Sequence, residues 1–200
     1  MTATTPGPTA AEASGYTSVA VALHWLIAVM ILGQIAGGVY MSGLPLGSEK
    51  FQLYQMHKSF GITVLLLSLA RLGWRLTHPA PPLPVDMKDW ERRVARVSHI
   101  AFYALMIGVP LGGWAVVSSS PLADSVPTKL FGVIPWPHLP FFSGVADRET
   151  LSESIAGMHE FFAFATLALM ALHVCAALRH HFVQKDAVLT RMIPFLRPRG

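Results

Sequence analysis

His159 and His173 lie fourteen residues apart within one long apolar stretch, and this pair constrains the fold more than any other feature of the chain. In an α-helix, fourteen residues at about 100° each return to within roughly 40° of the starting face and advance by about 21 Å. One helix therefore presents two imidazoles on one side, at two depths. Because imidazole is a common metal ligand and is costly to bury alone in a membrane, the pair predicts two stacked metal centres, most simply two haems.

The composition indicates a membrane protein. The chain has 200 residues, of which 52% are hydrophobic and only 13% are charged, whereas a soluble domain has about 25% charged residues. Four apolar stretches come close to the roughly 20 residues that a helix needs to cross a bilayer, and they cover approximately 19–41, 57–74, 99–117 and 155–178. The sequence therefore predicts four membrane-spanning helices.

The distribution of basic residues predicts the orientation. Eleven of the 15 Lys and Arg residues flank the link between the second and third spans or follow the fourth. The other four lie on the opposite side, namely Lys50, Lys58, Lys129 and Arg148. By the positive-inside rule, both termini are expected in the cytoplasm. The net charge of +4 is thus a topology signal, and we expect no nucleic-acid partner.

Three segments follow from these patterns. Residues 1–15 are small, polar and Pro-containing and are expected to be disordered. Residues 16–185 hold the four spans, and residues 186–200 form a basic cytoplasmic tail. Links are expected at 42–56, 76–97 and 118–154, with a helix start signal at 86–91. The third link is apolar at its centre and is expected at the outer membrane interface.

The predicted topology sorts the histidines into two layers. The outer layer contains His57 and His159, while the inner layer contains His173 with either His24 or His99 as its partner. Ligation by two histidines closes both axial positions of a haem iron, which suits electron transfer and disfavours binding of a substrate at the metal. The single cysteine, with no Cys-x-x-Cys-His run, excludes covalent haem attachment of the c type.

The fourteen-residue interval recurs on the other three helices. It relates two of the histidines to glycines and one to an arginine, giving His24/Gly38, His99/Gly113 and His57/Arg71. Glycine at the outer layer would allow a flat macrocycle to approach the backbone, although small residues also mediate ordinary helix packing in membranes. Arginine at the inner layer is placed to pair with a haem propionate.

Several stretches resemble the prokaryotic cytochrome b561 family, which is related to the cytochrome b subunits of nickel hydrogenases and formate dehydrogenases. They are ALHWLIAVMI, HKSFGITVLLLSLARLGWRL, RVSHIAFYALMIGVPLGGW, MHEFFAFATLALMALH and the tail ALRHHFVQKDAVLTRMIP. The resemblance covers nearly the whole chain after residue 16. It implies an all-α fold, an integral membrane four-helix bundle enclosing two b-type haems, in the bacterial inner membrane.

The resemblance also implies roles for individual residues. The outer haem would be held by His57 and His159, and the inner haem by His24 and His173. Electrons would be exchanged with ubiquinone or another quinone, for which His180 is the leading contact. His99 is an alternative inner ligand or a quinone contact. One branch of the family oxidises superoxide at the periplasmic face and passes the electrons to ubiquinone.

Two functions fit these patterns. The first is an autonomous dihaem cytochrome that carries electrons across the bilayer to or from a quinone, with superoxide:ubiquinone oxidoreductase as its most specific form. The second is a membrane-anchor subunit that relays electrons between a partner dehydrogenase, or a periplasmic redox protein, and the quinone pool. A histidine proton relay in a transporter is disfavoured, because a relay does not need two matched depths.

Overall fold

Four long helices form the molecule. The computed structural model describes residues 15–84, 86–193 and 196. The helices are α1 (Ser18–Ser42), α2 (Ser48–Thr77), α3 (Asp89–Ser119) and α4 (Arg148–Arg179), and α4 runs on into a π-helical turn, His180–Gln184. All four are long and apolar enough to cross a membrane, which confirms the predicted set of spans. The predicted disorder of the N-terminal arm falls on residues 1–14, outside the described part, as do residues 194–195 and 197–200 of the tail.

Local capping explains where the helices begin. The Thr17 side chain accepts a hydrogen bond from the Ala20 N–H, and Asp147 accepts one from the Thr150 N–H, so each satisfies a free amide of a first turn. Helix α3 begins at Asp89, where Glu91 accepts from the Lys88 N–H at 3.3 Å. The start signal predicted at 86–91 is therefore confirmed.

The first link is shorter than predicted. Helix α2 begins at Ser48, so residues 43–47 alone connect it to α1, whereas the sequence predicted a link over 42–56. Residues 48–56 include polar side chains but contain no glycine or proline that would break a helix. The low hydropathy of residues 48–56 therefore indicates where the apolar part of α2 begins, whereas the helix itself begins at Ser48.

Neighbouring helices in the sequence pack side by side. Helix α1 packs on α2, α2 on α3, and α3 on α4, whereas α1 and α4 contact each other at few positions. The buried apolar side chains of the helices concentrate on α1 and α2, at Ile27, Ile62, Val64 and Leu65. Across the loosely closed seam between α1 and α4, the rings of His24 and His173 approach each other.

The third link folds into a small β-hairpin, which the sequence did not predict. Strands β1 (Thr128–Leu130) and β2 (Ile134–Trp136) pair antiparallel, and a short 3-10 turn, Pro140–Phe142, follows. Gly132 has a φ of 76° in the connecting turn, a left-handed conformation that glycine adopts without strain. The hairpin is therefore an addition to an otherwise all-α fold.

Two serines of the helices anchor this hairpin. The Phe131 N–H donates to Ser59 Oγ on α2 at 2.8 Å, and the Leu139 N–H donates to Ser118 Oγ on α3 at 2.9 Å. The Phe131 ring also packs edge-on against Phe60. The hairpin region is therefore held against α2 and α3 at the end of the bundle where His57 lies on α2 and His159 on α4.

A buried carboxylate joins two helices at the opposite end. Glu91 is 7% exposed, and its Oε1 accepts hydrogen bonds from Arg179 Nη1 at 2.8 Å and Gln184 Nε2 at 3.0 Å. The C-terminal segment also folds back here, because Trp25 Nε1 donates to the Met192 carbonyl at 2.8 Å. The described part of the predicted tail therefore packs against the bundle.

Replacing Glu91 tests this junction. We expect Glu91→Ala to lower the thermal unfolding midpoint of the purified protein, because Arg179 and Gln184 lose a shared acceptor and α3 loses its first-turn carboxylate. The matched control is Glu153→Ala, an exposed carboxylate near the start of α4. Equal unfolding midpoints for the two variants would show that the Glu91 contacts contribute little.

Candidate haem-binding site

The outer histidines face each other across the bundle. His57 on α2 and His159 on α4 have ring centroids 6.2 Å apart, with ring planes at 84°. Two metal–imidazole bonds of about 2 Å each, plus roughly 1 Å from each nitrogen to its ring centre, give about 6 Å. The separation therefore fits a single metal ion held between the two rings.

The hydrogen bond of His159 sets its ligating nitrogen. Its Nδ1 lies 2.9 Å from the Val109 carbonyl oxygen, and because a carbonyl only accepts, Nδ1 carries the proton. The neutral ring then has its lone pair on Nε2, which is the form that binds a metal. His57 Nδ1 is buried and has no hydrogen-bond partner among the described residues.

Two glycines lie against the outer rings. A Cβ built on Gly113 would be 3.0 Å from His159 Cε1, and one built on Gly38 would be 3.6 Å from His57 Cε1. The structure thus brings both glycines of the fourteen-residue pattern to the outer histidine layer. The His159 ring would have to move if Gly113 carried a larger side chain, so this glycine keeps room for that imidazole.

The inner layer brings three histidines together. The His173 ring centroid is 6.3 Å from that of His24 and 6.1 Å from that of His99, so distance does not separate the two possible pairs. Exposure does separate them: His24 and His173 are half-buried, whereas His99 is exposed. The structure thus brings His24, His99 and His173 into one layer, with either His24 or His99 within reach of His173.

Arg71 belongs to the same layer. Its Nη1 donates to the Ala20 carbonyl at 2.7 Å, and its Nη2 lies 3.5 Å from His24 Nδ1. The structure therefore holds a guanidinium beside His24, inside a segment that spans the membrane. A cation in this position can pair with a carboxylate of a bound cofactor.

His180 lies beyond the inner layer, in the π-helical turn. It follows His173 by seven residues, or about 10 Å along a helix axis. Its Nδ1 lies 2.6 Å from Asp186 Oδ2, because the left-handed residue Lys185, with φ 56°, turns the chain back. The sequence did not indicate Asp186 as a partner of His180, because side chains six residues apart do not meet on an α-helix.

Gln34 was also missed. Its Nε2 donates to the His57 carbonyl at 2.8 Å, so it links α1 to the outer histidine layer from within the membrane span. A polar residue inside an apolar stretch is a signal that could have identified it. Gly61 lies against this amide, where a Cβ would be 3.3 Å from Gln34 Nε2.

Comparison with known proteins identifies the family. A family model described as prokaryotic cytochrome b561 matches residues 15–195. The chain belongs to the prokaryotic cytochrome b561 family. Cytochrome b561 homolog 2 of Escherichia coli is 31% identical over 180 residues, covering 89% of this chain and 90% of that protein. The probable superoxide oxidase CybB of Yersinia pestis is 29% identical over 185 residues, covering 90% and 96% respectively.

Family membership establishes the general activity. The protein is a bacterial membrane cytochrome that transfers electrons, and the family implies b-type haem. The residues present fit such a group, because histidine rings are paired at two levels, His159 has the ligating tautomer, and His57 has an unsatisfied ring nitrogen.

Gly113→Ala tests the fit at the outer pair. Replacing Gly by Ala inside a helix usually stabilises the helix by up to about 1 kcal/mol. At Gly113, however, the new methyl group would lie 3.0 Å from His159 Cε1. We expect Gly113→Ala to lower the haem content of the purified protein. Gly108→Ala is the matched control, because a Cβ there has no atom within 4 Å and should leave haem content unchanged. Equal haem content in both variants would contradict the assignment.

Proposed function

We propose that the chain holds two b haems and carries electrons across the bilayer to or from a quinone. The observation that supports this most strongly is the pairing of histidines at two levels of one helix, His159 with His57 and His173 with His24. When bound, the two haems would supply reversible one-electron oxidation and reduction of iron. The fourteen-residue interval on α4 separates the two levels by about 21 Å, which is most of a hydrocarbon core.

The side chains of the protein set the character of each centre. His57 with His159, and His24 with His173, would hold the two groups, and haem held by two histidines would supply electron transfer without binding oxygen or a substrate. The Val109 carbonyl fixes the orientation of His159 and increases the basicity of its Nε2. Gly38 and Gly113 leave space beside the outer rings.

The orientation follows from the charges. The links rich in Lys and Arg lie at the end of the bundle that contains Glu91, Arg179 and His180, so we place that end and both termini in the cytoplasm of a bacterial inner membrane. The hairpin end then faces the periplasm, with His57 and His159 as the outer layer.

We place the quinone near the cytoplasmic end. Asp186 holds His180 Nδ1 at 2.6 Å, which leaves Nε2 as the ring nitrogen that could exchange a hydrogen bond or a proton with a quinone oxygen. His99 is the second candidate contact, since it is exposed at the inner layer. Ubiquinone is the quinone implied by the resemblance, and lipid surrounds the four spans.

The most specific form of this function is superoxide oxidation at the periplasmic face. The relative named as a probable superoxide oxidase supports it. On this face the charge of Arg148 is paired with that of Asp124 at 2.9 Å. The Asp147 carboxyl accepts a hydrogen bond from the Thr150 N–H, which holds its pKa below the usual range and keeps it anionic. Lys58, next to His57, and Lys129, on the hairpin, are the cations best placed to attract an anion toward the outer layer.

The alternative function is a relay subunit for a partner dehydrogenase or periplasmic redox protein. It is favoured by apolar side chains on the outer loop, since Val133 and Phe141 are each 78% exposed. Such a surface suits docking of another protein. A partner subunit that co-purifies in stoichiometric amount, together with no reaction with superoxide, would favour this alternative.

Haem stoichiometry of single variants tests the ligand assignment. We expect two haems per chain in the wild type by the pyridine haemochrome assay, and one in each of the variants His24→Ala, His57→Ala, His159→Ala and His173→Ala. His99→Ala should retain two. Loss of haem in His99→Ala together with retention in His24→Ala would reverse the inner assignment, and fewer than two haems in the wild type would reject the dihaem proposal.

Haem reduction by superoxide tests the specific activity. In a quinone-depleted preparation, we expect superoxide to reduce the haems faster than it dismutates. Lys58→Gln should slow this reduction about two- to tenfold at low salt, and the difference should shrink as salt screens the charge. Arg93→Gln, a charge removed at the cytoplasmic end, is the control. Reduction no faster than spontaneous dismutation would reject superoxide as the donor.

A further inference from the structure

One face of the outer hairpin carries polar groups toward the bundle. Thr128 and Trp136 are paired residues of β1 and β2, so their side chains lie on the same face. On β1 this face is buried, because Thr128 and Leu130 are each 6% exposed, whereas Lys129 between them is exposed. On β2 the face is more open, because Ile134, the partner of Leu130, is 56% exposed. His138 follows Trp136 by two residues and is half-buried.

Three side chains of the hairpin and the residues just after it have buried polar atoms without partners. Thr128 Oγ1, Trp136 Nε1 and both ring nitrogens of His138 are buried and have no hydrogen-bond partner in the part of the chain that the structure describes. Buried polar atoms in native proteins are nearly always paired, with protein, water or a ligand. Three unpaired side chains within eleven residues therefore indicate that something else occupies this place.

The polar face lies next to the outer histidine layer. The Trp136 ring packs 5.5 Å from that of Trp114 on α3, and Trp114 Nε1 donates to the Pro137 carbonyl at 2.9 Å. Trp114 directly follows Gly113, the glycine that abuts His159. On the other side, Phe131 at the hairpin turn is held by Ser59, two residues after His57.

The chemistry of the three groups points to a carboxylate. A hydroxyl, an indole N–H and an imidazole N–H all donate hydrogen bonds, and the indole can only donate. Buried donors of this kind suit an acceptor that is fully charged, because such hydrogen bonds are about twice as strong as neutral ones. A b haem has two propionate carboxylates on one edge, and a haem at the outer layer could direct that edge toward the hairpin.

We propose that Thr128, Trp136 and His138 form a carboxylate-binding site for the propionates of the outer haem. This inference rests on the proposed outer haem between His57 and His159. The hairpin then closes the outer haem pocket from the periplasmic side and donates hydrogen bonds to its propionates, whereas Arg71 is placed to offer a positive charge at the inner layer. Lys129, on the exposed face, takes no part.

Variants that remove one donor each test the site in the haem-loaded full chain. They are Thr128→Val, Trp136→Phe and His138→Phe. Each should lower the midpoint potential of the outer haem, because a less compensated propionate charge favours ferric iron, and leave that of the inner haem unchanged. Loss of the outer haem to apomyoglobin should be about tenfold faster, as expected for a hydrogen bond to a charged group. The outer haem is recognised as the one absent from His57→Ala.

Two controls separate the site from general loosening of the hairpin. Ser118→Ala removes the anchor to the Leu139 N–H but touches none of the three donors, so it should leave the outer potential unchanged, and Thr128→Ser should restore the wild-type value. Haem dimethyl ester has no propionate charge and accepts only weaker, neutral hydrogen bonds, so in protein reconstituted with it the difference in outer-haem loss between wild type and variants should shrink to well below the roughly tenfold effect.

Three results would overturn the site. The first is a midpoint potential of the outer haem that is unchanged in all three variants, and the second is the same change of that potential in Ser118→Ala. The third is a difference in the rate of haem loss between wild type and variants that is equally large with the ester, which would assign the three groups to the binding of water or a small anion. A wild-type protein with fewer than two haems would instead reject the proposed function, and the two failures are thereby distinguishable.

Discussion

The structure depends on the cost of placing imidazole in a membrane without a partner. Each of the four helices carries a histidine in its span, and the rings come together in two groups, His57 with His159 and His173 with His24 and His99. Apolar packing concentrates on α1 and α2, and α1 meets α4 at few positions. We infer that the folded bundle reaches its full stability only when haem occupies the space between the histidine rings.

Polar contacts at the two ends hold this loosely filled bundle in register. At the outer end, Ser59 and Ser118 bind backbone amides of the hairpin region. At the inner end, Glu91 receives Arg179 and Gln184. Because these contacts hold the helix ends in place, the interior of the bundle can contain histidines where close-packed apolar side chains would otherwise lie. Rigid ends also keep the histidines of different helices at matched depths, which a bis-histidine centre requires.

The sequence predicted the four spans, the start of α3 and the family, because apolar length and capping residues act locally and have a strong signal. It missed the hairpin at 128–136, whose strands have only three residues each, and the early start of α2, where polar residues continue a helix outside the membrane. The pairing between His180 and Asp186 depends on a π-helical turn and on Lys185 in a left-handed conformation. The periodicity of apolar residues in the sequence does not predict such a turn. The sequence left both His24 and His99 as partners of His173, and their ring distances to His173, 6.3 Å and 6.1 Å, are nearly equal.

The central claim is that each of two haems is ligated by two histidines. Electron paramagnetic resonance of the oxidised, fully loaded protein tests it most directly. We expect two low-spin ferric signals of equal spin count, with the outer one strongly anisotropic because the planes of His57 and His159 are close to perpendicular, at 84°. A persistent high-spin signal from either centre, or a single low-spin signal at full loading, would contradict it.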